Sequence, residues 1–243
     1  MSVPVADILS SFSGAIEFIF EPRDALGVRG QVGGLDEVWD LMWTQIWISV
    51  LALAIALAIA LPVGLYFGHR GRGELLAVAV GNAGRAIPEL GLIALMVAFI
   101  GVGVLNVTIA LMIIGIPPIL TNTFVGVRQV DYDALEAARG MGMTGLQVVR
   151  RVELPLAVPL IMSGVRTAAI NIVATATIAS IAGVSTLGDY IINNANYGED
   201  GLIAGAILVA LLALAFELLL AGLQRLLTPR GLEPQREHAR ATA

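Results

Sequence analysis

The sequence predicts an all-α integral membrane protein with about five transmembrane helices. Of its 243 residues, 57% are hydrophobic and only 14% are charged, and its mean hydropathy is +0.85. Soluble domains are about 45–50% apolar and about 25% charged. Apolar stretches of about 20 residues, the length that crosses a bilayer, account for most of the chain.

Residues 1–40 are predicted to form an extracytoplasmic arm that begins with a helix lying in the membrane interface. Its polar residues recur at helical spacing, opposite an apolar side. The polar positions are Asp7, Ser10, Ser11, Gly14 and Glu17, and the apolar positions are Ile8, Leu9, Phe12, Ile16 and Ile19. A segment of about sixteen residues with two carboxylates is short and polar for a span, so a sixth span is the alternative. The segment lacks the basic start and the cleavage site of a signal peptide.

Residues 41–227 are predicted to form the transmembrane domain, and residues 228–243 a polar cytoplasmic tail. The five spans are predicted at about 41–67, 75–100, 106–127, 156–184 and 202–224. The second span is interrupted by Asn82, Arg85, Pro88 and Glu89, and the third contains Pro117 and Pro118. Paired glycines four residues apart, Gly64 with Gly68 and Gly201 with Gly205, are typical of closely packed membrane helices.

The arginines predict the orientation, because cytoplasmic loops of membrane proteins carry an excess of basic residues. The connections after spans one, three and five are basic, whereas the others carry no arginine. The first 40 residues hold seven acidic residues and only Arg23 and Arg29. We therefore expect an extracytoplasmic N-terminus and a cytoplasmic C-terminus.

Missing residue types exclude several chemistries. The chain has no cysteine, and all fourteen basic residues are arginine. Without lysine it has no P-loop, so it does not hydrolyse ATP by that route. His69 and His238 are far apart, which argues against a histidine metal cluster, and a net charge of −5 argues against binding to nucleic acid. We predict a chain that is not an enzyme and holds no cofactor.

The most informative segment is the predicted cytoplasmic loop between spans three and four. Capping patterns predict two short helices, with Asp133 and Glu136 capping the first and Thr144 and Gln147 capping the second. Gly140 and Gly142 are predicted to end the first helix. Pro155 is predicted to stop the second helix and turn the chain into span four.

This loop resembles the EAA loop of bacterial ABC importer permeases. The matching residues are Glu136, Ala137, Ala138, Gly142, Val152, Leu154 and Pro155, with Val152 where isoleucine is usual. The resemblance implies that the loop docks on a separate ATPase subunit and that Glu136 and Arg139 belong to this contact. For Glu136 the alternative is an ordinary exposed helix acid, and for Arg139 a residue that only sets the orientation.

Residues 43–227 resemble permeases for glycine betaine, choline, carnitine or proline. The resemblance rests on Thr175-Ala176-Thr177 in span four and on Leu187-Gly188-Asp189 after it. Methionine and other amino-acid permeases share the architecture and are the alternative. A self-sufficient secondary carrier or membrane enzyme is the alternative of a different class, but the chain shows neither internal repeats nor clustered catalytic residues.

The family resemblance implies several partners in the cytoplasmic (inner) membrane of a bacterium. These are an ABC ATPase that binds ATP and magnesium, a second permease copy or homologue, an extracytoplasmic solute-binding protein and the lipid bilayer. No nucleic acid is expected among them.

Polar residues inside the spans are candidates for the translocation path. Arg85 and Glu89 stand four residues apart around Pro88, and they either line the path or pair with each other. Asn171, Thr175, Thr177 and Ser180 in span four either line the path or bond across helices or to carbonyls of their own helix. Arg166 and Glu217 are isolated in spans four and five and are predicted to pair between helices.

Overall fold

The computed structural model describes residues 5–27 and 29–228, without the side chains of residues 5–10 and Arg85. Within these residues the regular secondary structure consists of helices and one β-hairpin whose two strands are two residues long. The first half comprises α1 (Val5–Phe20), β1 (Arg23–Asp24), β2 (Gln31–Val32), α2 (Gly34–Arg70), α3 (Glu74–Ala86), α4 (Glu89–Ile100) and α5 (Val104–Arg128). The second half comprises α6 (Tyr132–Gly140), α7 (Gly145–Val148), a π-helical turn (Val149–Glu153), α8 (Leu154–Thr175), a 3₁₀ helix (Ala176–Ala182), α9 (Gly188–Ile192) and α10 (Asn194–Leu227).

The prediction of about five spans is confirmed. Among the described residues, four continuous helical stretches are long and apolar enough to cross a membrane, and a bent helix pair makes a fifth. Helix α2 begins at Gly34, earlier than the predicted residue 41, because Asp36 and Glu37 in its first turn lie at the positive end of the helix dipole and stabilise an earlier start. The orientation of the spans stays a prediction.

The second span is two helices rather than one. The segments Glu74–Gly84 and Glu89–Ile100 meet at an angle of 91°. Pro88 lacks an amide hydrogen and forces the preceding residue out of the helical region, and Ile87 accordingly has φ −72° and ψ 119°. Pro117 and Pro118, in contrast, are accommodated inside the continuous helix α5.

Helix α5 lies at the centre of the bundle, between α2 and α8. Glycines allow this close approach. A Cβ atom built on Gly64 would lie 2.7 Å from the Cβ of Thr123, and one on Gly68 would lie 2.7 Å from the Cβ of Val127. The predicted role of this glycine pair in close packing is therefore confirmed.

The N-terminal arm packs against the end of the bundle where α10 begins. Phe18 is buried, and its ring centroid lies 5.1 Å from that of Tyr190 and 6.3 Å from that of Tyr197. Arg23 donates a 2.6 Å hydrogen bond to Asp200 and stacks over the Phe18 ring. Phe12 and Ile16, on the side of α1 predicted to be apolar, are exposed and thus available to lipid. The proposed tail beyond residue 228 and His238 lie outside the described residues.

Candidate coupling loop and translocation path

The loop between α5 and α8 forms two short helices, as predicted, but the cap of the first differs. Asp131, and not Asp133, is the N-cap of α6, and its side chain accepts a 2.8 Å hydrogen bond from the Asp133 amide. Asp131 has the extended backbone that a capping residue needs, whereas Asp133 lies inside the first helical turn. Glu136 is therefore not engaged in a capping box, and its side chain is exposed.

Helix α6 ends in a Schellman motif centred on Gly142. The Gly142 amide donates to the Arg139 carbonyl at 2.9 Å, and the Met143 amide donates to the Ala138 carbonyl at 3.2 Å. Gly142 has φ +80°, which favours glycine, whereas Gly140 is the last helical residue and does not have a positive φ. Of the two predicted helix-ending glycines, only Gly142 supplies the left-handed conformation.

The second helix begins as predicted and ends differently. Thr144 and Gln147 form the predicted capping box, in which the Gln147 side chain accepts a 2.7 Å hydrogen bond from the Thr144 amide. Pro155 does not stop this helix, since helical structure runs without a break from Gly145 to Ala182. The chain instead widens into the π-helical turn at Val149–Glu153, and Pro155 falls in the first turn of α8, where proline is tolerated.

The predicted docking residues fall into two groups, one exposed and the other buried or half-buried. Glu136, Ala137, Arg139 and Gly142 are exposed. Ala138 is buried, and Val152, Leu154 and Pro155 are half-buried. The first group is available to a partner chain, whereas the second holds the loop on the bundle.

A hydrogen-bonded histidine–glutamate pair that the sequence analysis did not find joins this loop to the first span. Glu153, in the π-helical turn, is buried, and the Nδ1 atom of His69 in the last turn of α2 lies 2.9 Å from each of its carboxylate oxygens. Among the described residues, no third histidine or acidic side chain joins the pair to form a metal site. The pair ties the start of span four to the end of span one.

The two predicted path residues of span two lie on either side of the bend at Pro88. Glu89 is exposed in the first turn of α4, after the bend at Pro88. The Arg85 side chain lies outside the described part of the structure, and the bend separates its backbone from the helix that carries Glu89. The two residues therefore do not share a helical face, because the regular four-residue spacing is lost at Pro88.

The polar residues of span four lie where the helix changes type. After Thr175 the α-helix tightens into the 3₁₀ helix Ala176–Ala182. Thr177 donates a 2.6 Å hydrogen bond to the carbonyl of Ala174 in its own helix, as the structural alternative expects. Asn171 is half-buried one turn earlier. The Thr175 hydroxyl oxygen is buried without a hydrogen-bond partner among the described residues, and the Ser180 hydroxyl faces the Asp189 carboxyl.

The two motifs that carry the subgroup resemblance contact each other. A Cβ atom on Gly188 would lie 1.7 Å from the Thr177 carbonyl oxygen, so only glycine fits this position. The Thr186 hydroxyl donates a 3.1 Å hydrogen bond to the carbonyl of Ala176. The loop after span four therefore folds back onto the 3₁₀ helix.

A buried glutamine of span one holds this arrangement in place. The Gln45 side chain donates a 3.0 Å hydrogen bond to the carbonyl of Val173 and accepts a 3.2 Å hydrogen bond from the Leu187 amide. Sequence analysis missed Gln45, although an isolated glutamine in an apolar helix was a signal that could have found it.

Asp189 adds a buried carboxyl group to this loop. The residue is 7% exposed, and its Oδ1 atom has no hydrogen-bond partner among the described residues. Burial raises the pKa of the Asp189 carboxyl above its usual value, and the hydroxyl groups of Ser185 and Ser180 oppose this shift. The loop therefore holds an acid whose charged form is disfavoured.

The predicted pairing of Arg166 with Glu217 is confirmed. The Arg166 guanidinium forms a salt bridge with Glu217 and donates a second hydrogen bond, of 2.9 Å, to Gln224. Gln224 in turn donates to the carbonyl of Pro159 at 3.2 Å. This network joins α8 to α10 and compensates the two charges within the spans.

Sequence comparison relates this chain to transport permeases. Residues 60–231 match the family described as "binding-protein-dependent transport system inner membrane component". The carnitine transport permease protein OpuCB of Listeria monocytogenes is 44% identical over 154 residues, which cover 63% of this chain and 71% of the relative. The choline transport system permease protein OpuBB of Bacillus subtilis (strain 168) is 39% identical over 169 residues, covering 69% and 77%.

Solved structures with the same fold support this relationship. An inward-facing structure of the MetNI methionine ABC transporter matches 80% of this chain and 98% of its own, with a TM-score of 0.70 and 23% identity. An amino acid ABC transporter crystallised with histidines matches 93% and 99%, with a TM-score of 0.59 and 20% identity. At these identities the likeness concerns the fold alone. Together with the family match over most of its length, it shows that this multi-pass chain belongs to the family of binding-protein-dependent transport system inner membrane components.

Proposed function

We propose that this chain is the transmembrane subunit of an ATP-driven importer for osmoprotectants such as glycine betaine, choline, carnitine or proline. The observation that carries the proposal is the 44% identity to a permease named for carnitine. Other relatives, at 40% and 39% identity, are named for glycine betaine, carnitine and choline. These compounds share a small charged or zwitterionic head, which favours one common solute class.

ATP hydrolysis is assigned to a separate ATPase subunit that docks on α6, in the loop between α5 and α8. The exposed residues Glu136, Ala137 and Arg139 on α6 support this role, because they leave a preformed helix surface open to a partner. The lack of lysine, and hence of a P-loop, agrees with hydrolysis on another chain. A second permease copy or homologue and an extracytoplasmic solute-binding protein complete the proposed importer, located in the bacterial cytoplasmic membrane.

The relatives favour this solute class over methionine. The methionine and amino-acid transporters share the fold at only 23% and 20% identity. Membership of a binding-protein-dependent family also argues against a self-sufficient secondary carrier.

The test is uptake of labelled glycine betaine at high osmolarity, in cells with and without this chain and its partner subunits. Unlabelled choline, carnitine, proline and methionine serve as competitors. We expect uptake that requires this chain and that choline or carnitine reduces. Uptake of methionine without uptake of any osmoprotectant would agree with the assignment as an importer subunit but would contradict the proposed solute class.

A charge reversal tests the docking surface. Glu136→Lys is expected to abolish uptake and co-purification of the ATPase, because it places a cation on the proposed contact. Glu199→Lys is the matched control, since Glu199 is also exposed but lies at the opposite, predicted extracytoplasmic end. Equal ATPase recovery with both variants would contradict the assignment of α6 as the contact.

A further inference from the structure

We propose that this chain binds an anionic phospholipid in a cleft between the end of α2 and α7. The basic cleft, with a volume of about 840 Å³, is bordered by Tyr66, His69, Arg70, Leu146, Arg150 and Leu154. It opens beside an apolar groove of about 410 Å³ bordered by Ala54, Leu57, Leu61, Leu154, Val158 and Leu223. The phosphate would lie in the basic cleft, and an acyl chain would lie in the apolar groove.

The charge of the basic cleft complements a phosphate. Arg70 and Arg150 are exposed, and neither forms an ion pair with any residue that the structure describes. The Arg70 guanidinium lies 5.3 Å from the centroid of the Tyr66 ring, which orients it without neutralising it. The nearby acid, Glu153, is buried and already bound to His69. Arginine is well suited to bind phosphate because its planar group donates several hydrogen bonds at once.

The apolar groove has the composition and length for an acyl chain. Every residue that lines it is apolar. On α2 it extends from Val50 to Leu61, which is about 16 Å at the rise of an α-helix. The hydrocarbon core of one leaflet is about 15 Å deep, half the thickness of the bilayer core. A chain lying in the groove would therefore extend from the basic cleft to the middle of the membrane.

The two cavities share one lining residue and follow each other along α2. Leu154 borders both, and the α2 residues of the groove are followed directly by those of the basic cleft. Arg70 and Arg150 belong to the connections predicted to be cytoplasmic, where anionic lipids attract basic residues. Basic pockets between membrane helices on this side of the bilayer suit acidic headgroups. The proposal does not depend on which solute the importer carries.

Lipid retention tests the proposal. The full chain, with its partner subunits where they co-purify, is extracted from nanodiscs of phosphatidylcholine containing phosphatidylglycerol, and bound lipid is counted by native mass spectrometry. We expect retention of phosphatidylglycerol over phosphatidylcholine. The Arg70→Gln/Arg150→Gln variant should retain roughly 25-fold less, since each arginine near an anionic lipid contributes about fivefold.

The matched control removes the same charge elsewhere at the same end of the bundle. Arg72→Gln/Arg225→Gln, at two exposed positions outside the basic cleft, should retain lipid like the unmodified chain. An equal loss of bound phosphatidylglycerol in both double variants would mean that net charge alone causes the effect, and would contradict the proposed site. Displacement of the lipid by excess inorganic phosphate alone would show that the acyl groove contributes nothing, which would also overturn it.

A single cysteine distinguishes lipid from a second protein copy in the groove. The chain has no cysteine of its own, so Ala54→Cys places one thiol in the groove. We expect labelling by a lipid-soluble maleimide and no disulfide between two copies. Efficient disulfide formation would mean that a second copy covers the groove, and would contradict the proposal.

Discussion

Single buried polar residues connect parts of this molecule that are distant in sequence. Glu153 contacts His69, 84 residues earlier, and Gln45 contacts the carbonyl of Val173, 128 residues later. Glu153 and Gln45 are buried, and leaving a buried polar group without its partner costs more than the hydrogen bond itself contributes. These residues are therefore where single substitutions should have large effects.

Removing His69 should destabilise the bundle. His69→Ala leaves the Glu153 carboxylate buried without its partner, at a cost of about 1–3 kcal/mol. The double variant His69→Leu/Glu153→Leu should recover much of this loss, because two apolar side chains can replace a buried pair. Thermal unfolding in detergent measures both. A melting temperature of His69→Ala equal to that of the unmodified chain would contradict a structural role for the pair.

The two glycines at the end of α6 should respond differently to alanine. Gly142→Ala should cost about 1–2 kcal/mol, since Gly142 has φ +80° and alanine is strained there. The cost is conformational only, because a Cβ atom at this position meets nothing within 4 Å. Gly140→Ala is the control, also in open space but helical, and should be neutral or slightly stabilising. Chemical unfolding of the two variants compares them directly.

Asp189 should make stability depend on pH. Because burial raises its pKa in the folded state, its contribution to stability is present below the unfolded value of 3.8 and is lost as the pH rises through the folded value. The Asp189→Asn variant has no carboxyl group to ionise at this position, so it does not lose this stability as the pH rises. The melting temperature of the variant should therefore exceed that of the unmodified chain at neutral pH, and the gap should shrink at acidic pH. A gap that is constant with pH would show that the carboxyl group does not titrate differently on folding.

At the scale of helices, the spans are shaped by where small residues and prolines fall. Gly64 and Gly68 bring α2 against α5, and Pro88 turns the second span by 91°. The change from α8 to the 3₁₀ helix at Ala176 accompanies the return of Gly188 onto Thr177. Stretches of 3₁₀ helix longer than about four residues are uncommon and often mark a hinge. We therefore expect any change in the backbone conformation of span four to occur at this 3₁₀ helix.

Adding one methyl group between α2 and α5 should weaken the bundle. Gly64→Ala places a carbon 2.7 Å from the Thr123 Cβ and 3.1 Å from the Leu120 carbonyl oxygen. One helix must shift, at a cost of about 1–3 kcal/mol. Gly222→Ala in α10 is the matched control, because its new methyl group meets nothing within 4 Å. A loss of thermal stability in both variants alike would contradict the close packing of α2 on α5.

At the scale of the whole molecule, the arm and the loop lie at opposite ends of the bundle. Phe18 packs beside Tyr190 and Tyr197, near the start of α10. At the other end of the bundle, His69 in the last turn of α2 contacts Glu153, which immediately precedes α8. If the predicted orientation holds, the arm surrounds the extracytoplasmic end and the loop Asp131–Glu153 meets the cytoplasm. The two ends then face different partners.

Cysteine labelling tests this orientation. The chain has no cysteine, and Gly30 and Gly140 are both exposed and open to a new side chain. A membrane-impermeant maleimide added to intact cells should label Gly30→Cys and should label Gly140→Cys only after the membrane is opened. The reverse pattern would overturn the predicted orientation, and labelling of both in intact cells would contradict the number of spans.

Features that depend on local pattern could be predicted from the amino-acid sequence alone. Long apolar segments predicted the spans, because a bilayer requires a fixed length of helix with its polar backbone satisfied internally. The Thr144–Gln147 box and the cap at Gly142 were also predictable, since caps involve residues within one helical turn. The family resemblance came from one such local segment, the loop around Glu136, and the family match agrees with it.

Which distant residues contact each other depends on how the helices pack, and could not be predicted from the sequence. Nothing in the spacing of His69, Gln45 and Glu153 indicates their partners, which lie on helices brought together by packing. Local pattern also failed at Pro155, which was predicted to stop the second loop helix, because the chain continues through the π-helical turn into α8. The periodicity of a helix indicates which of its faces is buried. The partners of its side chains depend on how several helices pack together, and the sequence of a single helix does not specify that packing.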